Sequence, residues 1–122
     1  MAQQDNFSPV VVDAFGIAEA YAKEHMSGAI DPAHILKALL HKDIGLVSFI
    51  EKTLQQDYYY LLDWADMRIK MIKKNPDGGK SVKFNALTKA VVSEADSIRQ
   101  ARKEDMINEY HLLMAVVTPG VG

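Results

Sequence analysis

The chain contains no cysteine. That excludes a disulfide framework, a thiolate metal site and cysteine nucleophile chemistry, and it fits a reducing compartment. No apolar run approaches the roughly 20 residues that a membrane-spanning helix needs. The opening segment, MAQQDNFSPV, lacks the basic stretch and apolar core of a secretory signal. Neither sign of charge dominates: the formal net charge is −2, so no global field gathers nucleic acid or an anionic membrane. Together these absences lead us to expect a soluble, cytoplasmic protein with no nucleic-acid or membrane partner. What remains is ordinary: 122 residues, 48% hydrophobic and 25% charged. That suits one globular domain able to bury a core without staples.

The apolar pattern is helical nearly throughout. Val10, Val11, Ala14, Phe15, Ala18, Tyr21 and Ala22 recur at three- and four-residue steps. They predict a helix from Ser8, a capping residue followed by proline, to about His25. Asp31-Pro32 repeats that start signal and opens a short helix through Ile35, Leu36, Leu39 and Leu40. A third helix is expected over about Ile44 to Leu54. A fourth follows Asp57, with Leu61, Leu62, Ala65, Ile69 and Ile72 buried. Asn75-Pro76-Asp77-Gly78-Gly79 is a breaker cluster and the best linker candidate. A fifth helix spans about Asn85 to Arg102, with Leu87, Val91, Ala95 and Ile98 inward. A sixth is capped by Asn108 and reaches Val117. Nothing alternates with period two over a useful length, so no sheet is expected.

Shifting the chain by 77 residues lays residues 7–40 on 84–117 without a gap. Phe7/Phe84, Ala18/Ala95, Ile30/Ile107, His34/His111, Leu36/Leu113 and Ala38/Ala115 are then identical. Six identities are few, but apolar positions and the N-caps Asp31 and Asn108 also coincide. This predicts an all-α fold of two pseudo-symmetric helical repeats packed face to face. Repeat one covers about 7–75, the linker 76–83, and repeat two about 84–122.

The duplicated segment Ile30-Asp31-Pro32-Ala33-His34-Ile35-Leu36 resembles the signature of the Clp N-terminal domain, carried by Clp/Hsp100 AAA+ ATPases. Ile107-Asn108-Glu109-Tyr110-His111-Leu112-Leu113 matches it again. Phe7-Ser8 is similar to the family's start of the first helix, and Asp43-Ile44-Gly45-Leu46 to its turn into the third. Among relatives the disaggregase ClpB and the type VI secretion ATPase ClpV look closest. The resemblance implies a domain that docks a protein or peptide substrate, or an adaptor protein, for a hexameric ATPase. ATP would be handled by separate modules, with no cofactor or metal in this domain. A stand-alone helical adaptor of a Clp machine is the alternative. The family usually completes its second repeat with two more helices, whereas this sequence ends at Gly122. The second repeat is therefore expected to be truncated, and the face left uncovered to favour a dimer or swapped arrangement.

No constellation supports catalysis. Gly79-Lys80-Ser81 looks like the tail of a phosphate loop, but Lys74 stands where its first glycine is needed. His34 and His41 share a helix face without a completing ligand, and the equivalence of His34 with His111 points to packing or helix initiation. Tyr58, Tyr59, Tyr60 and Trp64 cluster at the start of the fourth helix, beside Asp57, Asp63 and Asp66, which argue against nucleic acid. The expected mechanism is recognition in a groove between the repeats. The resemblance points to Phe7, Ser8 and Val11 at the first helix and to Glu104, Met106, Glu109 and Tyr110 before and within the sixth.

Overall fold

The computed structural model describes residues 7–74 and 82–117. Helix α1 runs Pro9–Glu24. The Ser8 hydroxyl accepts from the Val11 amide at 3.2 Å, and Pro9 occupies the first turn, where no amide proton is needed. The helix buries Val11, Ala14, Ala18 and Ala22. Three of these four are alanine, so the neighbouring backbone can approach closely. Helix α2, Pro32–Leu39, is that neighbour, and it is the centre of the fold. Every α2 residue except Lys37 is buried, and the helix touches α1, α3, α4 and α5. Burying a side chain such as Ile35 or Leu39, both fully enclosed, contributes roughly 1.5–3 kcal/mol.

Helix α3, Tyr58–Met71, starts at the Asp57 cap and packs on α2 through Leu61, Ala65 and Ile69. Helix α4, Ala86–Ala101, starts at Asn85 and buries Thr88, Val91 and Ala95. It pairs with α5, Glu109–Val117, which buries His111, Leu112, Leu113, Ala115 and Val116.

The two halves are related by the 77-residue shift down to single hydrogen bonds. Val11 N–H donates to the Ser8 side chain, and Thr88 N–H to the Asn85 side chain. Each long helix ends on a non-glycine residue in the left-handed region, Met26 at φ 57° and Lys103 at φ 58°. The linkage between halves is crossed. Strand β1, Ala29–Ile30, lies parallel to β2, Lys83–Phe84, with Ile30 opposite Phe84. The reciprocal bridge pairs Phe7 with Ile107. Asn85 N–H donates to Ile30 C=O at 3.0 Å, and Ser8 N–H donates to Ile107 C=O at 2.9 Å.

These pairings correct the expectation of no sheet. Two-residue strands are too short to show alternation, and tertiary contact between the halves creates them. The expected continuous third helix is also corrected. Gly45 takes φ +82°, so the helix is shorter than expected: it begins at Val47 and continues as a π-helical turn over Phe49–Thr53. Gln55, at φ 54°, follows that turn. Leu87 points outward, 46% exposed, and its neighbour Thr88 is the buried residue. Its hydroxyl is satisfied by donating to Ile30 C=O at 2.7 Å. Leu62 and Ile72 are half-buried rather than core. The breaker cluster, the Gly79-Lys80-Ser81 segment and the chain end fall outside the described residues. No described helix is long and apolar enough to cross a membrane.

Candidate functional site

Both short helices open on the same histidine device. The Asp31 amide donates to His34 Nδ1 at 2.9 Å, and the Asn108 amide donates to His111 Nδ1 at 2.9 Å. An acceptor Nδ1 leaves the proton of a neutral imidazole on Nε2. His34 Nε2 then faces the Ser27 hydroxyl, and His111 Nε2 faces the Glu104 carboxylate. Ser27 and Glu104 are themselves equivalent under the 77-residue shift. Burial first pushes the His34 pKa down, to about 4, against the pull of nearby Asp31. The hydrogen bond from His111 holds the Glu104 carboxyl below its ordinary range, with Arg102 adding to the effect. Both histidines are nearly or fully enclosed, and their nitrogens serve the helix starts.

Asp31 joins the halves. Its carboxylate accepts from Ala33 N–H, Arg68 Nε and Asn85 Nδ2, each at 3.0 Å. Burial alone would push this carboxyl up, but the three donors outweigh it and hold the pKa below the usual value.

Two grooves flank these anchors. The first, about 380 Å³, lies where the repeats cross and is lined by Phe7, Phe84, Val92, Ile107 and the rim residues Lys89 and Asp96. Phe15 packs edge-on against both Phe7 and Phe84, with ring centroids 5.0 and 5.1 Å away. Two of these three rings, Phe7 and Phe84, line the groove, and edge-on packing on Phe15 holds them in fixed orientation. The second groove, about 540 Å³, lies beside α5 and includes Phe49, Leu54, Ile98, Tyr110 and Met114. Tyr110 is braced there by Phe49, 4.8 Å away at 72°.

The residues expected from sequence do not form one site. Phe7 lines the first groove; Glu104 and Tyr110 line the second. Ser8 is the α1 cap. Val11 is fully buried and lines neither groove, so its placement there is corrected: it belongs to the buried stripe of α1. Met106 is 47% exposed and Glu109 sits in the first turn of α5, and neither lines either of these two grooves. Sequence reasoning missed Phe84, Val92 and Ile107. Two of these were within reach, because Phe84 is the repeat equivalent of Phe7 and Ile107 that of Ile30.

Comparison with curated protein sequences finds no match. Among solved structures the chain is similar to the crystal structure of the Hsp104 N-terminal domain from Candida albicans. The TM-score is 0.78 at 16% identity, covering 91% of this chain and 73% of that one. The likeness establishes the fold. The model of the Clp repeat (R) N-terminal domain family matches residues 6–121, nearly the whole chain. With both repeats, their caps and their crossed strands in place, the chain belongs to the Clp repeat N-terminal domain family.

Proposed function

We propose that this chain is the docking domain of a Clp/Hsp100 ATPase, and that it holds an apolar peptide or helix of a client or adaptor in the groove between its repeats. The observation that carries this reading is the cluster of half-buried Phe7, Phe84 and Val92, with buried Ile107 behind them, around an open cleft where the repeats meet. An apolar floor favours side chains removed from water, and it reads no particular order of them. Lys89 and Asp96 give the rim both signs of charge, so it orients a segment without demanding a net charge. The chemistry of ATP hydrolysis belongs to other modules of such a machine. Six domains on one ring would convert weak single contacts into firm capture.

Val92→Glu places a charge on the groove floor at a half-buried site. Binding of fluorescein-labelled unfolded casein, followed by anisotropy, is expected to weaken at least about tenfold. Tyr110→Ala, in the second groove, is expected to change it less than about twofold. The reverse ranking would move recognition to the α5 groove and overturn the placement.

A further inference from the structure

Helix α3 has two apolar faces, and among the described residues only one is packed into the core. Leu61, Ala65 and Ile69 face α2. Tyr60, Trp64, Met67 and Met71 lie on the other side at steps of four, three and four residues, a straight stripe along the helix. They are 65%, 37%, 65% and 82% exposed. Beside the stripe, Trp64, Met67, Arg68, Met71 and Ile72 line a shallow cleft of about 380 Å³ toward the C-terminal end. Charge is graded along the helix and its flanks: the Asp57 cap, Asp63 and Asp66 come first, then Arg68 and Lys70, then Lys73 and Lys74 just beyond its end.

We propose that this stripe is a self-association surface, on which α3 of a second copy of the chain packs antiparallel across a twofold axis between Trp64 and Met67. An antiparallel pair sets each acidic half against a basic half, while a parallel pair would stack like on like. It also opposes the two helix dipoles. In that register Tyr60 meets the partner's Met71, and Trp64 meets the partner's Met67. Every aromatic then faces a thioether, a favourable contact. Tyr60 and Met71 are about 16 Å apart along the helix, so each protruding tyrosine reaches the partner's cleft. Asp63 and Lys70 lie seven residues apart on one flank of the stripe, so the twofold brings Asp63 beside the partner's Lys70 twice. Asp66 and Arg68 are already paired within the chain, with Lys37 and Asp31, so neither is needed for an ion pair across the axis. The pairing leaves the groove between the repeats open.

Sedimentation equilibrium of the 122-residue chain at low ionic strength tests this. A dimer is expected to form between micromolar and millimolar concentration and to weaken as salt rises. Met67→Glu is expected to raise its dissociation constant at least about tenfold, with the helical circular dichroism unchanged. Asp63→Lys alone weakens the dimer, and Asp63→Lys with Lys70→Asp restores it. The chain's lack of cysteine allows a test of direction. Tyr60→Cys mixed with Met71→Cys is expected to give a mixed disulfide, and Tyr60→Cys alone far less. A chain monomeric at every concentration, a dimer indifferent to Met67→Glu, or preferential self-linkage of Tyr60→Cys would each overturn the proposal.

Discussion

Asp31→Ala is expected to cost about 3 kcal/mol of folding stability, measured as a fall in the urea midpoint at unchanged slope. The loss has three parts. The cap of α2 disappears, typically worth about 1 kcal/mol. Asn85 Nδ2 and Arg68 Nε lose their acceptor, and the crossing between the halves loses its link from α2 to the start of α4. The Arg68 side chain is 37% exposed, so water screens and partly replaces that ion pair. Asp31→Asn is expected to lose about half as much. Asparagine caps the equivalent helix of the second repeat, where Asn108 Oδ1 accepts from Tyr110 N–H. It cannot, however, accept from Arg68 with a full negative charge. If alanine proved as mild as asparagine, the carboxylate would be no more than a local cap.

The second large effect is acid destabilisation through His34. Its pKa falls from 6.5 to about 4 on folding, chiefly because burial disfavours the charged ring. Between those values the unfolded chain binds the extra proton, so stability rises with pH across that window. The contribution is complete above about pH 6.5 and is lost as the pH falls toward 4. The loss amounts to about 3 kcal/mol. The carboxyls of Asp31, Asp96 and Glu104 are all held below their ordinary values, so their contributions fade at still lower pH. Protonation would also remove the Nδ1 acceptor used by the Asp31 amide, which couples the ring to the helix start. Urea titrations from pH 7 to pH 4 should therefore show a falling midpoint. His34→Gln should flatten that slope while lowering stability at neutral pH. A wild-type midpoint independent of pH would refute the neutral, buried ring.

Much of the architecture was readable because local signals agreed. Ser8-Pro9, Asp31-Pro32, Asp57, Asn85 and Asn108 each announce a helix by a side chain that serves backbone amides, and all five stand at helix starts. The repeat was readable for the same reason, since His34 and His111 perform one local task. What escaped depends on distant partners. Ile30 and Phe84 form a strand pair only because the other repeat supplies the opposing backbone. Thr88 is buried in place of Leu87 because a carbonyl 58 residues away accepts its hydroxyl. For Val11 the two signals disagree: the family resemblance points it at a groove, whereas its spacing with Ala14 and Ala18 marks the buried stripe, and the spacing prevails. The candidate site was the least legible part. It gathers Phe7, Phe84, Val92 and Ile107 from four separated stretches, and only the fold decides which of many apolar side chains share an opening.

The crossed bridges have a consequence for how the molecule comes apart. Each half closes the backbone of the other: Ile107 accepts the amide that begins α1, and Ile30 accepts the amide that begins α4. Neither half is whole by itself, so the loss of one exposes the first turn of the survivor. Opening is therefore expected to be a single cooperative event, with the Ser8 and Asn85 amides showing matching protection against exchange with solvent deuterium. Like two hands each gripping the other's wrist, the arrangement releases on both sides or on neither.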